Sequence, residues 1–301
     1  MKTSAIILAA GQGTRMKSAL PKMLHPLCGP PMLMYAVASA RAASDTAPVV
    51  VVGHGAEQVQ NAIGEAARFV VQAEQLGTAH AALQAEKILK GECELVLIAY
   101  GDMPLLRAET LQALVDRQQA NPGPLTLLTV VADDPRGFGR VVRGRDGTVA
   151  AIVEEAAATP EQLTIRELNV GAYCFRADWL WEALRRIPVS QKGEYYLTDT
   201  VGLAAAAGLA VQALLHDDIA ETIGINTRVD LADAAAALRR RINQSHMLAG
   251  VSIVDPATTY IDMGITIGQD TTILPNTLLQ GKTTVGAGCR LGPNTIVRDA
   301  Q

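Results

Sequence analysis

At 301 residues, with 49% apolar and 19% charged side chains, the chain has the composition of a packed globular protein, and its length suits one large domain with a smaller appendage. A formal net charge of −4 and only 4% aromatic residues exclude a nucleic-acid surface, which needs a basic excess and stacking rings; an anionic ligand must be met by local charge. The cysteines Cys28, Cys93, Cys174 and Cys289 have neither metal-ligand spacing nor the density of a disulfide framework, and read as buried free thiols.

The N-terminal apolar run, Ser4 to Ala10, is too short for a signal-peptide core, and the longest apolar stretch, VGLAAAAGLAVQALL, is too short for a membrane span. A cytoplasmic protein without membrane insertion is predicted. From residue 1 to 226, the runs AIILAA, PVVVVG, RFVVQ, ELVLIAYGD, LTLLTVV and ETIGIN alternate with helical segments such as GTAHAALQAEKILK. Nearly unbroken aliphatic runs suit strands buried on both faces of a parallel sheet, so the fold class is α/β, a Rossmann-like doubly wound layer. Ligands of such sheets bind beyond the carboxyl ends of the strands.

Directly after the first run stands LAAGQGTRMKSALPK, which lacks the third glycine of a dinucleotide fingerprint and is not a Walker loop. Gly11 and Gly13 let the backbone approach a ligand and aim amides at an anion, and Arg15 and Lys22 add two positive charges, with Pro21 stiffening the approach to Lys22. Phosphate is the natural occupant, although a tight strand-to-helix turn with solvated basic residues has the same composition. Lys17 reads as a solvated surface charge. In VVQAEQLGTAHAALQ, Gln72 and Gln75 precede Gly77 and Thr78; amide side chains pair with the edge of a pyrimidine, and Thr78 also suits a helix cap.

Asp102, in IAYGDMP, follows a fully apolar strand, and Asn226 ends the last predicted strand, ETIGIN. Two oxygen ligands at one sheet edge, completed by water and phosphates, suit magnesium, while each residue separately also suits a turn or a helix cap. Between these lie GFGR with Gly139, IVEE with Glu154 and ELNVGAY with Asn169, polar groups among short β-like runs that suit a second lobe binding a sugar. The histidines His25, His54, His80, His216 and His246 have no metal or catalytic spacing and read as structural or surface residues.

Thr227 to Leu248 carries Leu231, Ala235, Leu238 and Ile242 at helical spacing, acidic residues early and arginines late, as the helix dipole favours. It is predicted to be a connecting helix over 227–249 between a domain at 1–226 and a repeat unit at 250–301. In that unit aliphatics recur every sixth position, at Ile261, Ile267, Ile273, Leu279, Val285, Leu291 and Val297, with Gly268, Pro275, Gly286 and Gly292 close behind. A period of six is that of a hexapeptide parallel β-helix with one inward aliphatic per side. About two coils fit, and TIVRDAQ offers no cap, so the chain is expected to be cut short within that helix.

The ordered motifs LAAGQGTRM with PK, QAEQLGTAHA, YGDMPL, GFGRVVR, IVEE, ELNVGAY, GEYYLTD, GINTR and AGVSIVDPATTYID resemble those of the bacterial bifunctional N-acetylglucosamine-1-phosphate uridyltransferase / glucosamine-1-phosphate acetyltransferase family, over nearly the whole chain. The resemblance implies a pyrophosphorylase domain followed by a left-handed β-helix. It also implies magnesium-dependent transfer of a uridylyl group from UTP to N-acetylglucosamine-1-phosphate, giving UDP-N-acetylglucosamine for cell-wall precursors. Carried over by position, Leu8, Ala9, Ala10, Gly11, Gln72, Gly77 and Thr78 would hold the nucleotide. Arg15 and Lys22 would be catalytic, Gly139, Glu154, Asn169 and Thr198 would place the sugar, and Asp102 and Asn226 would bind Mg²⁺.

Family members form homotrimers through the β-helix, and their acetyltransferase half binds acetyl coenzyme A in later coils, so this chain is expected to have no acetyl transfer. One departure is that the family's lysine after the glutamate, in a stretch like KDAT, is missing from EAAAT here. A neighbouring reading is another sugar-1-phosphate nucleotidyltransferase, thymidylyl- or glucose-specific. A silent scaffold subunit is disfavoured because Arg15, Lys22 and Asp102 are all kept.

Overall fold

The computed structural model describes residues 1–135 and 137–301 and divides into two compact units, Met1–Leu24 with Leu33–Ile223, and His25–Met32 with Gly224–Gln301. In chain order, the first unit contains β1 (Thr3–Ala9), α1 (Met32–Ala42), β2 (Val49–Val52), α2 (Ala56–Ile63), β3 (Arg68–Val71), α3 (Thr78–Gln84), α4 (Glu86–Leu89), β4 (Leu95–Tyr100), α5 (Ala108–Ala120) and β5 (Leu125–Val131). It continues with β6 (Arg140–Arg143), β7 (Val149–Val153), α6 (Pro160–Leu163), β8 (Glu167–Arg176), α7 (Ala177–Arg186), α8 (Asp199–Ala206) and β9 (Val211–His216).

The main sheet runs β3-β2-β1-β4-β8-β5-β9, with β6 and β7 as an antiparallel pair beside β8. Strand β1 is buried at every position because alternate side chains serve opposite faces. Ile6 and Leu8 join Val49, Val51, Val96 and Ile98 under α3, α7 and α8, while Ala5, Ile7 and Ala9 join Val50, Val52 and Leu97 under α1, α2 and α5. A three-layer α/β sandwich results, and it accounts for the runs of aliphatics without polar alternation.

The sheet is mixed, which corrects the all-parallel expectation. Strand β8, drawn from the ELNVGAY segment assigned to a second lobe, is antiparallel to both β4 and β5 and lies in the interior of the sheet. ETIGIN is not a strand. Ile219–Thr222 forms a 3-10 turn whose buried Glu221 accepts hydrogen bonds from the Arg107 amide at 3.0 Å and the Thr110 hydroxyl at 2.7 Å. The Arg107 Nε lies 3.0 Å from Glu221 Oε1, so side-chain bonds, not a strand ladder, hold this segment. The last strand of this sheet is instead VQALLH, which overlaps the end of the apolar stretch that is too short for a membrane span. Among the described residues no helix is long and apolar enough to cross a membrane. None of the four cysteines is in a disulfide; Cys174 is buried, but the other three are half-exposed and correct the expectation for them.

The second unit is built on α9 (Arg228–Leu248), opened by a capping box in which Asp230 accepts from the Thr227 amide at 2.7 Å. Thr227, not Asn226, is the cap. Its buried face is Ala234, Ala237, Leu238 and Ile242, whereas Leu231 and Ala235 are only half-buried. Residues 25–32 join this unit: the Met263 amide donates to the Cys28 carbonyl at 2.8 Å, and Gly29 lies against Asp262. Eight short strands follow, β10 (Ser252–Ile253), β11 (Tyr260–Ile261), β12 (Thr266–Ile267), β13 (Thr272–Ile273), β14 (Thr277–Gln280), β15 (Thr284–Val285), β16 (Arg290–Leu291) and β17 (Thr295–Arg298).

These pair in parallel as three separate ladders, the triangular coil that the six-residue period predicts. Ile261, Ile273 and Leu279 are fully buried inside it, whereas Ile267, Val285, Leu291 and Val297 are half-exposed. Buried Thr271, Thr277 and Thr283 close the corners by donating to the carbonyls of Gly286, Leu274 and Gln280.

Candidate active site

Parallel pairing of β1 with β4, Leu8 opposite Tyr100, puts the loops after both strands at one sheet edge. After β1 the chain turns at Gly13, whose φ of +65° favours glycine and whose missing Cβ would lie 2.5 Å from Lys22 Cβ. The glycine therefore makes room for the lysine stem. Lys22 is 8% exposed, and its Nζ stands 2.5 Å from Oδ2 of Asp102, which follows β4 and is 23% exposed. Buried Met16 anchors the turn, while Arg15 and Lys17 stand in solvent on either side of it. Gly11 is exposed, with nothing within 4 Å of where a Cβ would be. Leu8, Ala9 and Ala10 are buried strand-end residues, which leaves the backbone as their means of meeting a ligand.

The turn after β3 is held from inside. Gln72, 3% exposed, donates from Nε2 to the Gly77 carbonyl at 3.1 Å and lies 3.0 Å from His80 Nδ1. Gly77 adopts φ +100°, and a Cβ there would stand 2.5 Å from the Tyr195 carbonyl oxygen. Thr78 accepts from the Leu197 amide at 2.9 Å, tying this turn to the segment before α8. Gln75 comes close to Gly53 at the end of β2, where a Cβ would meet both its amide and the Ala10 carbonyl.

On the neighbouring side, Thr198 donates to Glu154 Oε1 at 3.0 Å, and burial pushes the Glu154 carboxyl above the usual carboxylate range, with that hydroxyl partly opposing. The Asn169 amide donates to the Gly139 carbonyl at 2.9 Å. Its side chain faces inward, Nδ2 donating to the Tyr173 hydroxyl at 2.7 Å and Oδ1 accepting from the Gly171 amide at 3.2 Å. Arg140, 2% exposed, donates to the Phe138 carbonyl and to Glu155, 3.0 Å away, so the EAAAT departure still carries a polar tie.

Sequence reasoning missed Tyr100. Its phenol bonds the Thr78 side chain and feels the Glu154 charge, and burial pushes it well above its usual range. Its ring fits only because Gly171 lacks a Cβ, which would meet it at 2.5 Å. The signal available was its place as the last residue of β4. The structure thus joins Lys22 with Asp102, Gln72 with Gly77, Glu154 with Thr198 and Asn169 with Gly139, and Tyr100 links the second set to the third. Asn226 belongs to the second unit, where its amide donates to Asp230 at 2.9 Å.

A hard cation fits Asp102: the residue offers a carboxylate at the sheet edge, one oxygen on Lys22, in a side chain still open to solvent. Among the described residues no cluster of three or more His, Cys, Asp or Glu could hold a metal, so water and phosphate oxygens would complete the shell.

Residues 5–197 match the MobA-like NTP transferase domain, and residues 264–299 match the bacterial transferase hexapeptide (six repeats). The chain is 46% identical over 301 residues to the bifunctional protein GlmU of an Exiguobacterium species, covering 100% of this chain and 67% of that protein. It is 45% identical to GlmU of a Geobacillus species and 43% identical to that of Enterococcus faecalis, covering 99% and 98% of this chain and 65% of each relative. It spans about two-thirds of the length of these curated relatives. With the α/β edge and the six-residue coil both matched in order, the chain belongs to the GlmU family, as a MobA-like nucleotidyltransferase domain followed by hexapeptide repeats.

Proposed function

We propose that the first unit transfers a uridylyl group from UTP to N-acetylglucosamine-1-phosphate, forming UDP-N-acetylglucosamine and releasing pyrophosphate. The observation that carries this reading is the Lys22–Asp102 pair, a nearly buried ammonium held at the carboxyl edge of β1 and β4 beside a glycine loop that bears an exposed arginine. The sugar phosphate is already an anion, so its attack on the α-phosphorus needs no general base; the barrier lies in bringing two anions together. Lys22 and Arg15 supply fixed positive charge where pyrophosphate leaves. Leu8 to Gly11, Gln72, Gly77 and Thr78 bind the nucleoside, and Gly139, Glu154, Asn169 and Thr198 shape the sugar pocket, Asn169 acting through its main-chain tie to Gly139. Asp102 would help to hold Mg²⁺, which when bound neutralises phosphate charge. A homotrimer through the repeat unit is part of the same reading.

The deciding measurement is magnesium-dependent pyrophosphate release from UTP and N-acetylglucosamine-1-phosphate. Wild-type protein should release it, and Asp102→Ala should abolish release with the fold intact. Near-normal turnover by Asp102→Ala would sink the metal assignment.

A further inference from the structure

Strands β6 and β7 pair as far as Arg140 opposite Val153, and the ladder stops there. Gly139 and Glu154, two of the residues of the proposed sugar pocket, come next on either side, and no rung of the ladder includes them. They are nevertheless close: a Cβ on Gly139 would stand 3.7 Å from Glu154 Oε2. What lies beyond the last rung is a guanidinium. Arg140, 2% exposed, donates from one terminal nitrogen to the Phe138 carbonyl and from the other to Glu155 Oε2 at 3.0 Å. Phe138 precedes Gly139 and Glu155 follows Glu154, so one side chain ties together the residues that flank both. Three alanines follow Glu155, which leaves its carboxylate as the one side-chain acceptor over residues 155–158. The arrangement is a poor way to gain stability. The guanidinium Nε finds no hydrogen-bond partner among the described residues, and a buried charge with an unmet donor gains little over an apolar side chain of similar length. Glu155 is 44% exposed, and water would serve it without the arginine.

We infer that Arg140 and Glu155 are positioning residues that staple the open ends of β6 and β7, holding Gly139 and the Glu154 carboxylate at the spacing at which they receive the sugar of the sugar phosphate. The inference rests on the sugar-pocket reading proposed above and deepens it, since neither residue of the staple is placed against substrate. Thr198 fixes one oxygen of Glu154, and the Asn169 amide fixes the Gly139 carbonyl. The staple fixes the distance between the two strand ends, which neither of those bonds spans. Contacts made to the sugar alike before and during phosphoryl transfer supply affinity, not rate, so loosening them acts on KM and leaves kcat in place.

The test measures steady-state pyrophosphate release from UTP and N-acetylglucosamine-1-phosphate, with thermal unfolding, in wild type, Glu155→Ala, Glu155→Gln, Arg140→Met and, as the direct-contact control, Glu154→Ala. Glu155→Ala should raise KM for the sugar phosphate by about tenfold, as loss of one charge-assisted bond allows, with KM for UTP, kcat and Tm near wild type. Glutamine keeps an acceptor oxygen for the guanidinium and should hold that KM within about twofold of wild type. Arg140→Met keeps the apolar stem and should raise the same KM at least as far; adding Glu155→Ala to it should change nothing further. Should Arg140→Met fail to fold, Glu155→Ala against Glu155→Gln decides alone, because Glu155 is exposed. An unchanged sugar-phosphate KM in Glu155→Ala overturns the inference, and so does a rise matched by KM for UTP or by a fall in Tm, the mark of a merely structural role. If Glu154→Ala leaves that KM unchanged, or wild type releases no pyrophosphate, the sugar-pocket reading itself fails and takes the inference with it. A raised KM in Glu154→Ala with none in Glu155→Ala fails the inference alone.

Discussion

An ammonium left 8% exposed is stable at Lys22 because a carboxylate stands 2.5 Å away and a glycine makes room for its stem. Lys22→Met keeps the stem and removes the charge. Turnover should fall by about 10²- to 10³-fold, the usual loss when one fixed charge-stabilising donor is deleted. Stability should drop by only about 1–3 kcal/mol, because Asp102 retains some solvent. Steady-state kinetics and urea melts together check both. Glu154 behaves oppositely to a paired carboxylate. Burial raises its pKa, so the folded chain holds that proton more tightly than the unfolded chain does. The stability this contributes is complete below the ordinary carboxylate range and is lost as pH rises through the folded value. Glu154→Gln keeps an acceptor for Thr198 and removes the charge. It should be more stable than wild type at about pH 7, with the gap closing toward about pH 4, in denaturation measured at both.

Two glycines at the same edge separate folding from binding at the scale of the turn. Gly77 has φ +100° and a Tyr195 carbonyl 2.5 Å from its absent Cβ, so Gly77→Ala should cost about 2–3 kcal/mol of stability and lower Tm. Gly11 has open space at that point, so Gly11→Ala should leave Tm unchanged while its methyl enters the proposed nucleotide site and raises KM for UTP by about tenfold. A lowered Tm in Gly11→Ala would count against this division. The same elements show why some strands were legible and others were not. β1, β2 and β4 read directly because both of their faces are covered, which demands unbroken aliphatics. ETIGIN has the same composition without the ladder, and its fate was set by a buried glutamate bonded more than a hundred residues away, at Thr110. Strand β9 hid inside an alanine-rich stretch because it ends the sheet order, where one neighbour, β5, supplies its pairing.

At the scale of the molecule the second unit presents an outward ladder, Tyr260, Leu278 and Ile296 in register on β11, β14 and β17, with Tyr260 49% and Ile296 66% exposed. Apolar side chains stacked on the outside of a coil favour association with other copies. Light scattering should therefore find a trimer that Ile296→Asp weakens toward monomer; a wild-type monomer at all concentrations would remove the support for assembly through this face. What the sequence determined by itself was whatever repeats locally: aliphatic runs for strands covered on two faces, a six-residue period for the coil, and glycines and charges placed just after strand ends. Only the tertiary structure decided that β8 runs antiparallel inside the sheet, that residues 25–32 join the second unit, and that Tyr100 and His80 come up against Thr78 and Gln72. Those outcomes depend on contacts between segments distant in the chain, whose energies no local pattern encodes.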